Sequence, residues 1–194
     1  MRNVLLVSWL LLPIGAWAFH EGPGQDLMAL DEADTVLLAA HADAADGSWK
    51  AAMRGYTEAL AKLPKDQEAL SQRLRLELNK ARMHAQELGE AREELETLVD
   101  QLVAEPKTDP VLLADARQAL ARSQFFTTWL MRLEGLSREV WEPEIEAARQ
   151  NWRLLAEQAG TPEQKQQHGK DLEAAIRLSR LAIEDLQGLP LPGC

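Results

Sequence analysis

A single cysteine, Cys194, stands among the 194 residues. No internal disulfide, zinc ribbon or CxxC redox site can be built from it. At the last position it reads as an inert tail residue or as one half of an intermolecular disulfide. Val and Ile together number 11, few for a chain that would have to build sheets, where β-branched residues are favoured. Basic residues are outnumbered, 21 Lys and Arg against 31 Asp and Glu, for a net charge of −10. A nucleic-acid partner requires a basic face, so none is expected. The four histidines, His20, His41, His84 and His168, form no HExxH motif and no pair at metal-ligand spacing on one helix. The chain has no glycine-rich phosphate loop and no serine nucleophile elbow. Acidic pairs such as Glu93-Glu94 sit in charge-rich stretches that read as solvated faces. These absences predict a protein that is not an enzyme, with no metal, no cofactor and no catalytic residue.

What is abundant is helix former: 33 Leu and 29 Ala, two residues that favour helix interiors. The hydrophobic fraction is 46% and the charged fraction 27%, ordinary values for a globular chain. The expectation is an all-α protein with enough core to fold without disulfides or metal.

The first segment reads as an address. Met1-Arg2-Asn3 is a short positive start, and residues 4–14 are apolar apart from Ser8 and Pro13. Ala16 and Ala18 then place small residues where signal peptidase inspects them. Cleavage between Ala18 and Phe19 is predicted, which removes Arg2 and no acidic residue. The apolar run is shorter than the roughly 20 residues that span a bilayer, so no stable membrane insertion is expected after cleavage. No cysteine follows the run, which excludes a bacterial lipoprotein, and the C-terminal Leu/Pro stretch is too short for a lipid-anchor signal. The predicted location is the periplasm or the extracellular space.

The mature chain divides at its Gly, Pro and cap signals. Residues 19–25 form an extended lead-in, 26–187 a helical domain and 188–194 a flexible tail. The first hairpin is predicted over residues 26–63, with its turn at Asp46-Gly47 and Ser48 as the next cap. The second covers 66–104, with a first helix reaching Leu88 and a turn at Gly89. The third covers 109–159, with Asp109-Pro110 opening one helix and Pro143 the next. Thr161-Pro162-Glu163-Gln164 has the form of a capping box and starts a last helix over 162–187. Connections this short make neighbouring helices antiparallel.

Within this pattern, Gly47, Trp49, Ala52, Tyr56, Ala59 and Pro64 follow one another at the spacing of a close helix crossing, a small residue beside a large knob. Ala91, Leu95 and Leu98 repeat the spacing of Ala52, Tyr56 and Ala59, after a first helix holding Leu78-Asn79-Lys80-Ala81 and a Gly89-Glu90-Ala91 turn. Ala148, Trp152 and Leu155 give a looser third copy. In the first helix, Val36 and Asp43 occupy the aromatic signature positions. The pattern resembles the tetratricopeptide repeat over residues 33–106 and, more loosely, over 109–159. The resemblance implies a short right-handed α-solenoid of helix hairpins with a C-terminal capping helix. It also implies a groove lined by the first, third and fifth helices. Two rivals are a helical bundle of other topology and a long coiled coil. The coiled coil would run along Leu74, Leu78, Ala81, Ala85, Leu88, Leu95, Val99 and Leu102, broken at Arg92.

Two stripes are candidates for partner binding. Arg73, Glu77, Lys80 and His84 recur at helical spacing on the third helix. Arg122, Phe126, Trp129 and Arg132 (or Leu133) share a face of the fifth, where aromatic and Arg side chains together mark binding hot spots as well as core edges. Trp141 and Trp152 read as packing residues. The function expected is an exported, non-catalytic scaffold for a protein or peptide partner. The alternatives are a self-associating envelope component and a small-ligand carrier or enzyme with its site between helices.

Overall fold

A computed structural model describes residues 23–188; the predicted cleavage site, Ala18 and Phe19, and the end of the tail lie outside them. The described chain is helical throughout and contains no strand. The α-helices are α1 (Pro23–Ala45), α2 (Trp49–Lys62), α3 (Glu68–His84), α4 (Leu88–Ala104), α5 (Pro110–Leu133), α6 (Arg138–Gln158) and α7 (Pro162–Arg180). A 3₁₀ turn at Ile183–Gly188 follows.

The first helix begins at Pro23, inside the stretch 19–25 expected to be extended, because proline fits the first helical position as well as a lead-in. The other helix ends carry the local chemistry that the sequence announces, with three shifts. Gly47 ends α1 at φ 75°, and the bonds Ser48 N–H to Asp43 O (2.8 Å) and Gly47 N–H to Ala44 O (3.1 Å) close a Schellman motif. The Asp109 carboxylate accepts from Val111 N–H at 2.9 Å, with Pro110 at the first position of α5. Thr161 Oγ1 accepts from Gln164 N–H at 3.2 Å, and Gln164 Oε1 accepts from Gly160 N–H at 3.1 Å, so the box closes one residue early.

The first shift is in the second hairpin. α3 stops at His84 rather than Leu88, and the left-handed residue is Gln86 (φ 71°), not Gly89, which lies inside α4. Glu87 N–H bonds Arg82 O at 3.0 Å. Starting α4 at Leu88 puts Ala91, Leu95 and Leu98 into the core on one face, and that burial outweighs a left-handed cost of about 1–2 kcal/mol at Gln86. The long coiled coil is thereby absent, since its seam is cut into two helices. The second shift is at Pro143, which lies inside α6 rather than opening it. Trp141, two residues earlier, is buried, with the guanidinium of Arg132 4.9 Å and that of Arg138 5.9 Å from its ring centre. This anchor draws the helix back to Arg138 despite the backbone hydrogen bond that proline forfeits. The third shift is at Leu181, where the last predicted helix breaks and hands over to the 3₁₀ turn.

The described residues fall into two compact units that divide between Leu74 and Arg75, inside α3. In the first, α1 packs on α2 through Ala33, Ala40, Ala52, Tyr56 and Ala59, all buried. A Cβ at Gly55 would stand 2.7 Å from the Cβ of Ala40, so the two helices cross where only glycine fits. The Tyr56 hydroxyl hydrogen-bonds His41 Nδ1 at 3.0 Å, and Lys62 pairs with Glu32 at 3.0 Å.

In the second unit, α4 packs on α5, α5 on α6, and α6 on α7. Arg75 joins α3 to the far end of α4, donating to Gln101 Oε1 at 2.6 Å. One core cluster gathers Leu76 of α3, Leu95, Leu98, Val99 and Leu102 of α4, and Leu112, Ala116, Ala119 and Leu120 of α5. The other gathers Phe125 of α5, Trp141, Ile145 and Trp152 of α6, and Ala174, Ala175 and Leu178 of α7. Arg92, the break in the coiled-coil spacing, reaches α6 and pairs with Glu144 at 2.7 Å.

Candidate functional site

Between α3 and α5 in the second unit lies a groove of about 710 Å³. Its α5 wall is the face formed by Asp115, Gln118, Ala119, Arg122, Phe126, Trp129 and Leu130; Lys80, Met83 and His84 of α3, Gln86 of the turn and Leu88 of α4 form the rest. The α5 residues recur three and four apart, so they stack along one side of the helix. The volume lies within the roughly 300–1,000 Å³ of ligand sites, which are largely apolar with a few placed polar groups.

Five of the eight residues singled out from sequence meet here: Lys80, His84, Arg122, Phe126 and Trp129. Phe126 and Trp129 are half-buried, one side against the core cluster around Phe125 and Trp152. Phe126 meets Phe125 edge-on with ring centres 5.7 Å apart. They are therefore floor residues of the groove and packing residues at once. Three others lie elsewhere. Glu77 pairs with Lys80 at 2.8 Å on the surface of α3 without lining the groove. Arg73 is exposed and belongs to the first unit.

Arg132 is buried and turned away from the groove. It donates to the carbonyls of Leu178 and Leu181, the latter at 2.5 Å, so it caps the end of α7 while stacking on Trp141. Burial lowers its guanidinium pKa. Charged hydrogen bonds of this kind contribute about 1.5–3 kcal/mol each; Arg132 holds helices together rather than a partner.

α7 carries a buried polar group that sequence reasoning left aside. Asp171 of α7 is 2% exposed. Gln167 Nε2 donates to its Oδ1 at 3.1 Å, while its Oδ2 has no partner among the described residues. Burial raises the Asp171 carboxyl above its ordinary value, against the pull of Arg122, the Gln167 hydrogen bond and His168. Burial lowers His168, and Arg122 lowers it further while Asp171 raises it. Arg122 thus acts electrostatically on both α7 groups, yet makes no hydrogen bond or ion pair with another described residue. The signal for Asp171 was present in the sequence: it shares the helical spacing of Ala174, Ala175 and Leu178, so an acid stands on the apolar face of α7.

No group of three or more metal-ligating side chains occurs among the described residues, and no described helix is long and apolar enough to cross a membrane. No family model, characterised protein or solved structure matches the chain.

Proposed function

We propose that this protein is an exported, non-catalytic binding module of tetratricopeptide type, whose groove between α3 and α5 takes a segment of a protein or peptide partner. The helix hairpins would stack as a short right-handed α-solenoid, capped by α7. The observation that carries the binding reading is the convergence of Lys80, His84, Arg122, Phe126 and Trp129 on one groove. Half-buried aromatics beside an Arg without an ion-pair partner are the composition of interface hot spots. The close approach of Gly55 to Ala40 supports the repeat reading.

The test is affinity capture of the tagged protein from its own host, with the Phe126→Ala/Trp129→Ala double variant alongside. A partner held by the wild type and lost by a variant of unchanged helicity is the expected result. If the double variant unfolds, the two rings are core and the groove assignment fails.

The groove volume also fits a small-ligand carrier, which native mass spectrometry would reveal as a bound small molecule. Leu130, Leu133, Leu136 and Val140 are exposed along the end of α5 and the start of α6. They favour the self-associating alternative, which requires a mass that rises with concentration in sedimentation.

A further inference from the structure

Gln86 breaks a local rule. It holds φ 71° in the turn between α3 and α4, a left-handed conformation that glycine adopts freely and that strains a residue with a Cβ. Helices that end this way usually carry glycine there, sometimes asparagine. Burial of Ala91, Leu95 and Leu98 explains why the turn falls at this position, yet glycine would serve that burial without the strain. A side chain kept at such a cost points to work at a site.

Gln86 lines the groove and is exposed. On the α5 wall, Gln118 lines it too and is half-buried. These two are the uncharged amides of the lining. Neither side chain hydrogen-bonds another described residue, and no side-chain oxygen or nitrogen of Gln118 is buried without a partner. Both amides are therefore open to a ligand. The lining around them is largely apolar, with Met83, Leu88, Phe126, Trp129 and Leu130, and Lys80 is already paired with Glu77. A primary amide offers donors and an acceptor at once, which is the complement of a peptide group. A site that hydrogen-bonds a group rejects the analogue lacking it, because the site's polar atoms are then left unpaired.

We propose that Gln86 and Gln118 are specificity-determining residues of the groove: their side-chain amides hydrogen-bond the peptide groups of an apolar partner segment. The groove then selects main-chain amides rather than a charge. The inference rests on reading the groove as a binding site, and its test separates the two.

Two neutral probes share the same two ring systems and differ by one carbonyl. N-phenyl-1-naphthylamine reports its own binding by fluorescence, and N-phenyl-1-naphthamide is measured by displacing it. Both are titrated into the full chain at neutral pH. The amide is expected to bind about fivefold more tightly than the amine, the ratio that a typical neutral hydrogen bond yields. Gln86→Gly and Gln118→Met should each lower that ratio, and the double variant should bring it to one, with the amine's affinity unchanged. Gln86→Gly should also raise the midpoint of urea unfolding, since the strain relieved exceeds the entropy that glycine adds to the unfolded chain. Circular dichroism confirms that each variant is folded. Equal binding of both probes to the wild type overturns the inference and leaves the groove standing. So does a preference that either single variant leaves intact, or a Gln86→Gly chain no more stable than the wild type. If neither probe binds the wild type, the groove reading fails and the inference falls with it.

Discussion

Asp171 shows how a single residue can be costly in the fold. Its folded-state pKa is raised by burial, so over the interval above the ordinary value of 3.8 the folded chain binds more protons than the unfolded one. Stability from this group falls as pH rises through that interval, and the penalty is complete once the folded carboxyl is ionised. Asp171→Asn should therefore raise stability at neutral pH, with the gain vanishing as both forms become protonated below the ordinary value. Urea denaturation of both proteins across that range checks the sign; a loss of stability at neutral pH would mean that ionised Asp171 is held favourably by its neighbours. His168 runs the other way. Its pKa is lowered by burial, so its contribution grows as pH rises toward its ordinary value of 6.5. Arg132 shows the reverse of Asp171: sequence spacing grouped it with Phe126 and Trp129, yet its hydrogen bonds to the end of α7 make it a structural tie.

At the scale of elements, the crossing of α1 and α2 is a contest between two magnitudes. Replacing Gly55 by alanine gains about 1 kcal/mol of helix propensity. The new Cβ meets Ala40 Cβ at 2.7 Å and Ala40 Cα at 3.3 Å, and a rigid backbone contact of that kind costs about 1–3 kcal/mol. Gly55→Ala is therefore expected to destabilise the first unit by roughly 1 kcal/mol. Gly89→Ala in α4, where nothing lies within 4 Å of the new Cβ, should instead stabilise by about 0.5–1 kcal/mol. Denaturation of the two variants side by side isolates the crossing; a stabilising Gly55→Ala would show that α1 and α2 separate easily. Helix existence and most boundaries followed from caps, glycines and prolines. The shifts at Gln86 and Pro143 did not, because burial of Leu95 and Trp141 outweighed the local turn signals.

For the whole molecule, the N-terminal segment carries the prediction of export, with cleavage between Ala18 and Phe19. Expression in its own host should yield an intact mass that begins at Phe19, and a mass that retains Met1 or Arg2 would place the chain elsewhere. The arrangement of side chains reads two ways from sequence. The face Arg122, Phe126, Trp129 was legible because helical spacing alone aligns it, and so was the Lys80, His84 pair. That these two faces border one groove follows from how α3, α4 and α5 pack on the cluster of Leu76, Leu95, Leu98 and Leu120. Composition, periodicity and cap chemistry determined by themselves that the chain is helical, how many α-helices the described residues form, and which residues share each face. Only the tertiary structure decided that Arg132 leaves its face for α7, that Glu77 stays outside the groove, and that Asp171 is buried with one oxygen unpartnered among the described residues. Those outcomes depend on contacts between helices distant in sequence, where burial and charge pairing between elements are settled together and no local pattern records them.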